Sequence, residues 1–138
     1  AGTVLFDSLV RPYFHTEWPE AQKVNGITPE MVAGAPYPHE LLPQLVEIFS
    51  EMSVCIGYNT SFDLGFLDRI GVPTEHLTVI DVMQMFVDYL NANGGTRRRA
   101  SLSTCTKHFD YQWEGAAHNS LADAKATLYC YNMMKIIK

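Results

Sequence analysis

The chain has 138 residues, 47% of them hydrophobic and 18% charged, and a net charge of −5. That length supports one domain with its own core, and the composition is that of a soluble globular protein. The acidic balance argues against coating long stretches of nucleic acid through phosphate contacts alone, though not against gripping a short stretch through bound cations. No apolar run approaches the roughly 18 residues of a membrane span. The opening AGTVLFDSLVRP lacks the basic-then-apolar pattern of a signal peptide. Cys55, Cys105 and Cys130 lie far apart with no Cys-x-x-Cys. They are expected to be reduced thiols of a cytoplasmic protein rather than a disulfide frame or zinc site.

In chain order, Thr3 to Val10 alternates imperfectly and stops at Arg11-Pro12, which predicts a strand. Residues 12–26, with Pro12, Pro19 and Gly26, read as a loop. Thr28-Pro29-Glu30 is a helix start: a capping hydroxyl, proline at the first helical position, then an acid. Leu41, Leu42, Leu45, Val46, Ile48, Phe49 and Met52 form a broad helical apolar face. Pro43 is tolerable there if it falls in the first turn. Val54 to Tyr58 is a short buried strand, and Ser61 to Ile70 a helix closed by Gly71. Leu77 to Ile80 is a second short strand ending at Asp81, which reads as a helix cap. Helices follow over 82–90, 101–109 and 120–136, the first two separated by the loop 91–96. The order predicts an α/β domain, with its site beyond the carboxyl ends of strands.

Asp63 and Asp123 both begin helices that follow apolar segments. Asp63 is flanked by Phe62 and Leu64, a setting that risks desolvation. A buried carboxylate persists if it is paired or coordinates a metal. A plainer reading makes it a first-turn acid stabilised by the helix dipole. Ser120-x-x-Asp123 fits a capping box, which would give Asp123 a structural role. His118 is either a surface histidine or a general base poised near neutral pH. Arg97-Arg98-Arg99, after Gly94-Gly95, is either a solvated loop tip or a contact to a phosphate strand.

Together these residues carry a resemblance. GYNTSFDLGFL, residues 57–67, resembles the second motif of the DnaQ-like (DEDDh) 3′→5′ exonucleases. HNSLADAKATL, residues 118–128, resembles their third motif, whose His-x-x-x-x-Asp marks the histidine subclass. Val79-Ile80-Asp81-Val82, Ala100 to Cys105, Leu9-Val10-Arg11-Pro12 and Asn25 to Glu30 resemble further family segments in the same order, over residues 3–134. The resemblance implies a ribonuclease-H-like three-layer fold with a mixed central sheet. It implies Asp63 and Asp123 as metal-holding catalytic residues for two divalent cations, Mg²⁺ or Mn²⁺. His118 would take the proton from the attacking water. Asn59 and Phe62 could line the nucleotide pocket or be structural. The implied substrate is a nucleic acid 3′ end, single-stranded DNA in the first instance. The implied partner is a larger replication, repair or CRISPR adaptation protein, with no membrane.

The family's first motif, Asp-x-Glu on the first strand, is not found. Asp7 has Leu9 where the glutamate should stand. The resemblance therefore implies that the first two strands are missing from this chain. The competing expectation is a catalytically inactive remnant of the same fold, kept as a nucleic-acid- or protein-binding scaffold. A small-molecule α/β enzyme has no glycine-rich phosphate loop or Gly-x-Ser-x-Gly to support it.

Overall fold

The computed structural model describes residues 3–113 and 119–137. Helix α1 (Pro19–Asn25) lies where a loop was expected. Its punctuation is regular all the same, with proline at the first position and Gly26 closing it in a left-handed conformation, φ 70°. Helix α2 (Pro29–Val32) is capped as expected: the Thr28 hydroxyl accepts from the Met31 amide at 3.2 Å. Helix α3 runs from Pro38 to Ser50, three residues earlier than its apolar face suggested. Pro38 takes the first position, so Pro43 falls in the second turn rather than the first. It forgoes one backbone bond to the His39 carbonyl, on an exposed face where water can take its place.

Strand β1 (Val54–Gly57) pairs in parallel with β2 (Thr78–Asp81), with Gly57 opposite Asp81. Between them lies α4 (Thr60–Ile70), closed by Gly71 at φ 102°. Then come α5 (Val82–Asn91), α6 (Leu102–His108) and α7 (Ser120–Ile137). The α/β class is as expected. The sheet formed by the described residues has two strands, well short of a three-layer mixed sheet. Residues 3–10 do not pair as the expected strand, and they leave Val4 and Leu5 exposed. A lone extended segment has no ladder to satisfy its backbone, and alternation alone does not supply a partner.

The core gathers α5, α6 and α7. Val82, Phe86 and Val87 of α5 pack with Cys105 of α6, Phe109, and Cys130 and Met134 of α7. Val54 and Ile56, on one face of β1, are 46% and 37% exposed. Val79 of β2 pairs with Cys55, so it lies on the other face, and is 40% exposed. Phe62 of α4 is 73% exposed. The expected burial of β1 and of the aromatic neighbours of Asp63 is therefore not met. Phe62 lines a groove of about 560 Å³ together with Val10, Leu41, Leu45, Phe49 and Phe66, among others. Large side chains that patterning marks for a core surround a space instead of a packed layer.

Candidate active site

The site begins at a tight turn. Gly57 ends β1, and a Cβ there would meet the Thr60 methyl at 2.9 Å. Two residues on, Asn59 adopts a left-handed conformation, φ 58° and ψ 57°, and starts α4. Its own side chain forms no cap bond. The turn is held instead from the neighbouring strand. Asp81 Oδ1 accepts from the Asn59 amide at 2.9 Å and from the Met83 amide at 3.0 Å. One carboxylate thus caps α5 and fixes the entry to α4. Asp81 was read from the sequence as a cap alone. Its second bond, across the parallel pairing of Gly57 with Asp81, is a tertiary fact.

Asp63 follows four residues after Asn59, on the first turns of α4. The surrounding chain desolvates its carboxyl and raises its pKa above the usual carboxylate range. The side chain nevertheless keeps access to solvent. Its negative charge adds to desolvation in raising the Cys55 thiol.

Asp123 occupies the equivalent place on α7. The helix is capped by Asn119, whose Oδ1 accepts from the Ala122 amide at 3.2 Å. Its backbone carbonyl takes the Asp123 amide at 2.8 Å. The expected Ser120–Asp123 capping box is thereby replaced. Asn119 is the cap, Ala122 the third helical residue, and Asp123 the fourth. Asp63 is likewise the fourth residue of its helix after Asn59.

These two carboxylates line one cavity of about 440 Å³, with Tyr58, Leu102, Ser120 and Thr127 among the other walls. Tyr58 is anchored at its far end by donating to the Ala100 carbonyl. Burial first, then the nearby thiols and Asp81, push its phenol well above the ordinary tyrosine range, so it serves as a neutral wall. The adjoining apolar groove shares Asp63, Ser120 and Ala124.

The other expected site residues are dispersed. Phe62 lines the groove but not the carboxylate cavity. Asn59 contributes its backbone conformation and lines neither. Arg97, Arg98 and Arg99 lie on an exposed loop. That loop is tied down by Asn91, which accepts from the Arg97 amide at 3.0 Å and donates to its carbonyl at 2.7 Å. No arginine of the three lines the cavity. His118 lies outside the described residues.

Asp63 and Asp123 offer the hard oxygen donors that Mg²⁺ and Mn²⁺ prefer. Among the described residues no cluster of three or more His, Cys, Asp or Glu side chains could hold a metal. Two carboxylates are part of a donor set for a pair of octahedral cations, not the whole of one. No helix of the described residues is long and apolar enough to cross a membrane.

The chain has known relatives. The family model described as an exonuclease, RNase_T, matches residues 3–131, and the chain belongs to that family, the DnaQ-like exonucleases of the ribonuclease-H-like superfamily. The chain is also 41% identical over 133 residues to a protein of Mycobacterium tuberculosis (strain CDC 1551 / Oshkosh) provisionally named a bifunctional exonuclease/endonuclease. That match covers 92% of this chain and 20% of the relative, so the chain spans about a fifth of that protein's length.

Proposed function

We propose that the chain is the catalytic body of a 3′→5′ exonuclease of the histidine (DEDDh) subclass, hydrolysing terminal phosphodiesters of DNA or RNA. The observation that carries this reading is the convergence of Asp63 and Asp123 on one cavity from equivalent positions of two helices. Membership of the exonuclease family supports it.

In this reading Asp63 and Asp123 supply carboxylate oxygens to two Mg²⁺ or Mn²⁺ ions. When bound, such a pair of ions polarises the attacking water and stabilises the leaving oxygen. The raised pKa of Asp63 suits that role, because a nearby cation restores the charge that desolvation disfavours. Tyr58 and Leu102 wall the cavity against bulk water. His118, five residues before Asp123, is assigned by its motif position to accept the proton of the attacking water on a ring nitrogen. The remaining acidic donors come from a strand that these 138 residues do not supply, an Asp-x-Glu segment pairing with the outer edge of β1. The exposure of Val54 and Ile56 is the support for that docking. The acidic net charge leaves part of the nucleic-acid grip to a partner or fused module of the replication, repair or CRISPR adaptation kind.

The test is a cleavage assay on 5′-labelled single-stranded DNA and RNA with Mg²⁺. It compares the 138-residue chain with a longer chain of the parent protein that contains an Asp-x-Glu strand. The longer chain is expected to give a ladder shortened from the 3′ end. His118→Ala is expected to slow it about 10²–10⁴-fold, the usual contribution of a general base, and Asp123→Asn to abolish it. A ladder from the 5′ end, or full activity in either variant, overturns the assignment. Folded longer chain with no cleavage and no Mn²⁺ binding would instead mark a scaffold.

A further inference from the structure

A second concave surface has walls next in sequence to those of the apolar groove. Val10 and Pro38 line the groove. Arg11 follows Val10 and Tyr37 precedes Pro38, so the two surfaces are walled by neighbouring residues of the chain. It is a cleft of about 220 Å³ lined by Arg11, Tyr13, His15, Trp18 and Tyr37, among others. Drug-sized ligands occupy roughly 300–1,000 Å³, so the cleft is scaled to a single heterocycle.

Its rings are held in place by polar anchors. Tyr13 and Tyr37 are parallel to within 1°, with centroids 5.2 Å apart. His39 lies parallel to Tyr13 within 10°. The Tyr13 hydroxyl is bonded to His39 Nδ1 at 2.6 Å and accepts from the His39 amide at 3.0 Å. Trp18 Nε1 donates to the Ile27 carbonyl at 2.8 Å. The Arg11 guanidinium sits 5.0 Å from the Tyr37 ring centroid. Tyr13 is still half exposed and the neighbouring Phe14 is 90% exposed. No acidic residue lines the cleft, although the chain as a whole is acidic.

Pre-ordered aromatic faces beside a guanidinium are what a single nucleic-acid strand requires: bases stack on the rings and the cation meets the phosphate. A core cluster would bury these rings, and a protein-docking patch would not need the cation among them. We infer that the Arg11–Tyr13–Tyr37 cleft is a stacking site for a nucleobase of the single-stranded substrate, separate from the Asp63–Asp123 cavity, with Arg11 on the adjoining phosphate. The inference rests on the nuclease reading, but its test does not use catalysis.

Trp18 supplies the readout. The chain has two tryptophans, so a Trp113→Phe background isolates it. Fluorescence is titrated in EDTA with a short oligothymidylate, and with an abasic oligomer of equal length and charge. Oligouridylate provides the RNA arm. Saturable quenching by the base-bearing strand, and much weaker quenching by the abasic one, is expected. Tyr13→Leu should weaken binding by about 5- to 150-fold, the range for loss of one base–aromatic stack. Arg11→Gln, a change at an exposed residue, should weaken binding and flatten its salt dependence. Equal quenching by the two oligomers, or parental affinity in Arg11→Gln and a folded Tyr13→Leu, overturns the inference. Base-dependent quenching without Mg²⁺-dependent cleavage would count against the nuclease reading and leave the cleft standing. Cleavage without base-dependent quenching would do the reverse.

Discussion

Replacing Asp81 by alanine tests how the site is built. Its Oδ1 accepts two backbone amides, from Asn59 at 2.9 Å and Met83 at 3.0 Å. The first fixes a left-handed turn and the second caps α5. Loss of an N-cap costs about 0.5–2 kcal/mol. A hydrogen bond to a charged acceptor contributes about 1.5–3 kcal/mol, of which part is recovered because the site is only half-buried and water reaches the freed amides. The two together predict a loss of about 2–3 kcal/mol for Asp81→Ala. Asp81→Asn keeps an acceptor oxygen at the same place and should lose about 1 kcal/mol or less. Urea unfolding followed by circular dichroism measures both, as a shift in midpoint at constant slope. A second substitution sharpens the test. Asn59→Gly removes the left-handed penalty in the folded state, so it should recover part of the stability that Asp81→Ala loses. An Asp81→Ala variant within about 0.5 kcal/mol of the parent, the range of an ordinary surface change, would refute the role given to this carboxylate. Equal damage from alanine and asparagine would show that the two amides are not what it serves.

Desolvation raises the Asp63 pKa, so the folded state holds this proton more tightly than the unfolded chain does. The sign follows: stability contributed at this position falls as pH rises from the ordinary carboxylate pKa through the raised one. Asp63→Asn should therefore raise the urea midpoint at neutral pH and have no effect once pH is below the ordinary carboxylate range. A gain that grows on acidification would refute this. Cys55 offers an independent reporter, because desolvation and the Asp63 charge both raise its thiol. With a thiol reagent the native protein should label at Cys55 alone, since Cys105 and Cys130 are fully buried. The bond Cys105 shares with Cys130, and then burial, further hold Cys105 as a thiol. Asp63→Asn should speed the labelling of Cys55 at fixed pH, and an unchanged rate would place the two groups out of electrostatic reach.

Much of the local architecture was legible in the sequence because its causes are local. Thr28-Pro29, Gly71 and Asp81 punctuate helices through bonds and backbone angles that span a few residues, and the structure has them so. The apolar face from Leu41 to Phe49 and the 82–90 helix are found, while Met52, expected on the same face, lies beyond the end of α3. Helix α1 was missed because its prolines and glycine were read as loop signals, when Pro19 and Gly26 are the two ends of a short helix. Asn119 was overlooked as a cap because Ser120 fitted the same pattern one residue later.

What the sequence could not determine depends on pairing between distant segments. Residues 3–10 have a strand's alternation, but a strand exists only where another backbone takes up its hydrogen bonds, and the described residues offer none there. The apolar side chains of β1 and α4 are suited to a core, yet their burial requires a layer that pattern alone cannot supply. Asp63 and Asp123 lie sixty residues apart in a chain that gives no local reason for them to meet. Two parallel strands and the packing of α7 against β1 bring them to one cavity. Helices and caps are decided within a turn or two, where the sequence speaks directly. A site is decided by which turns share a wall, and only the folded chain settles that.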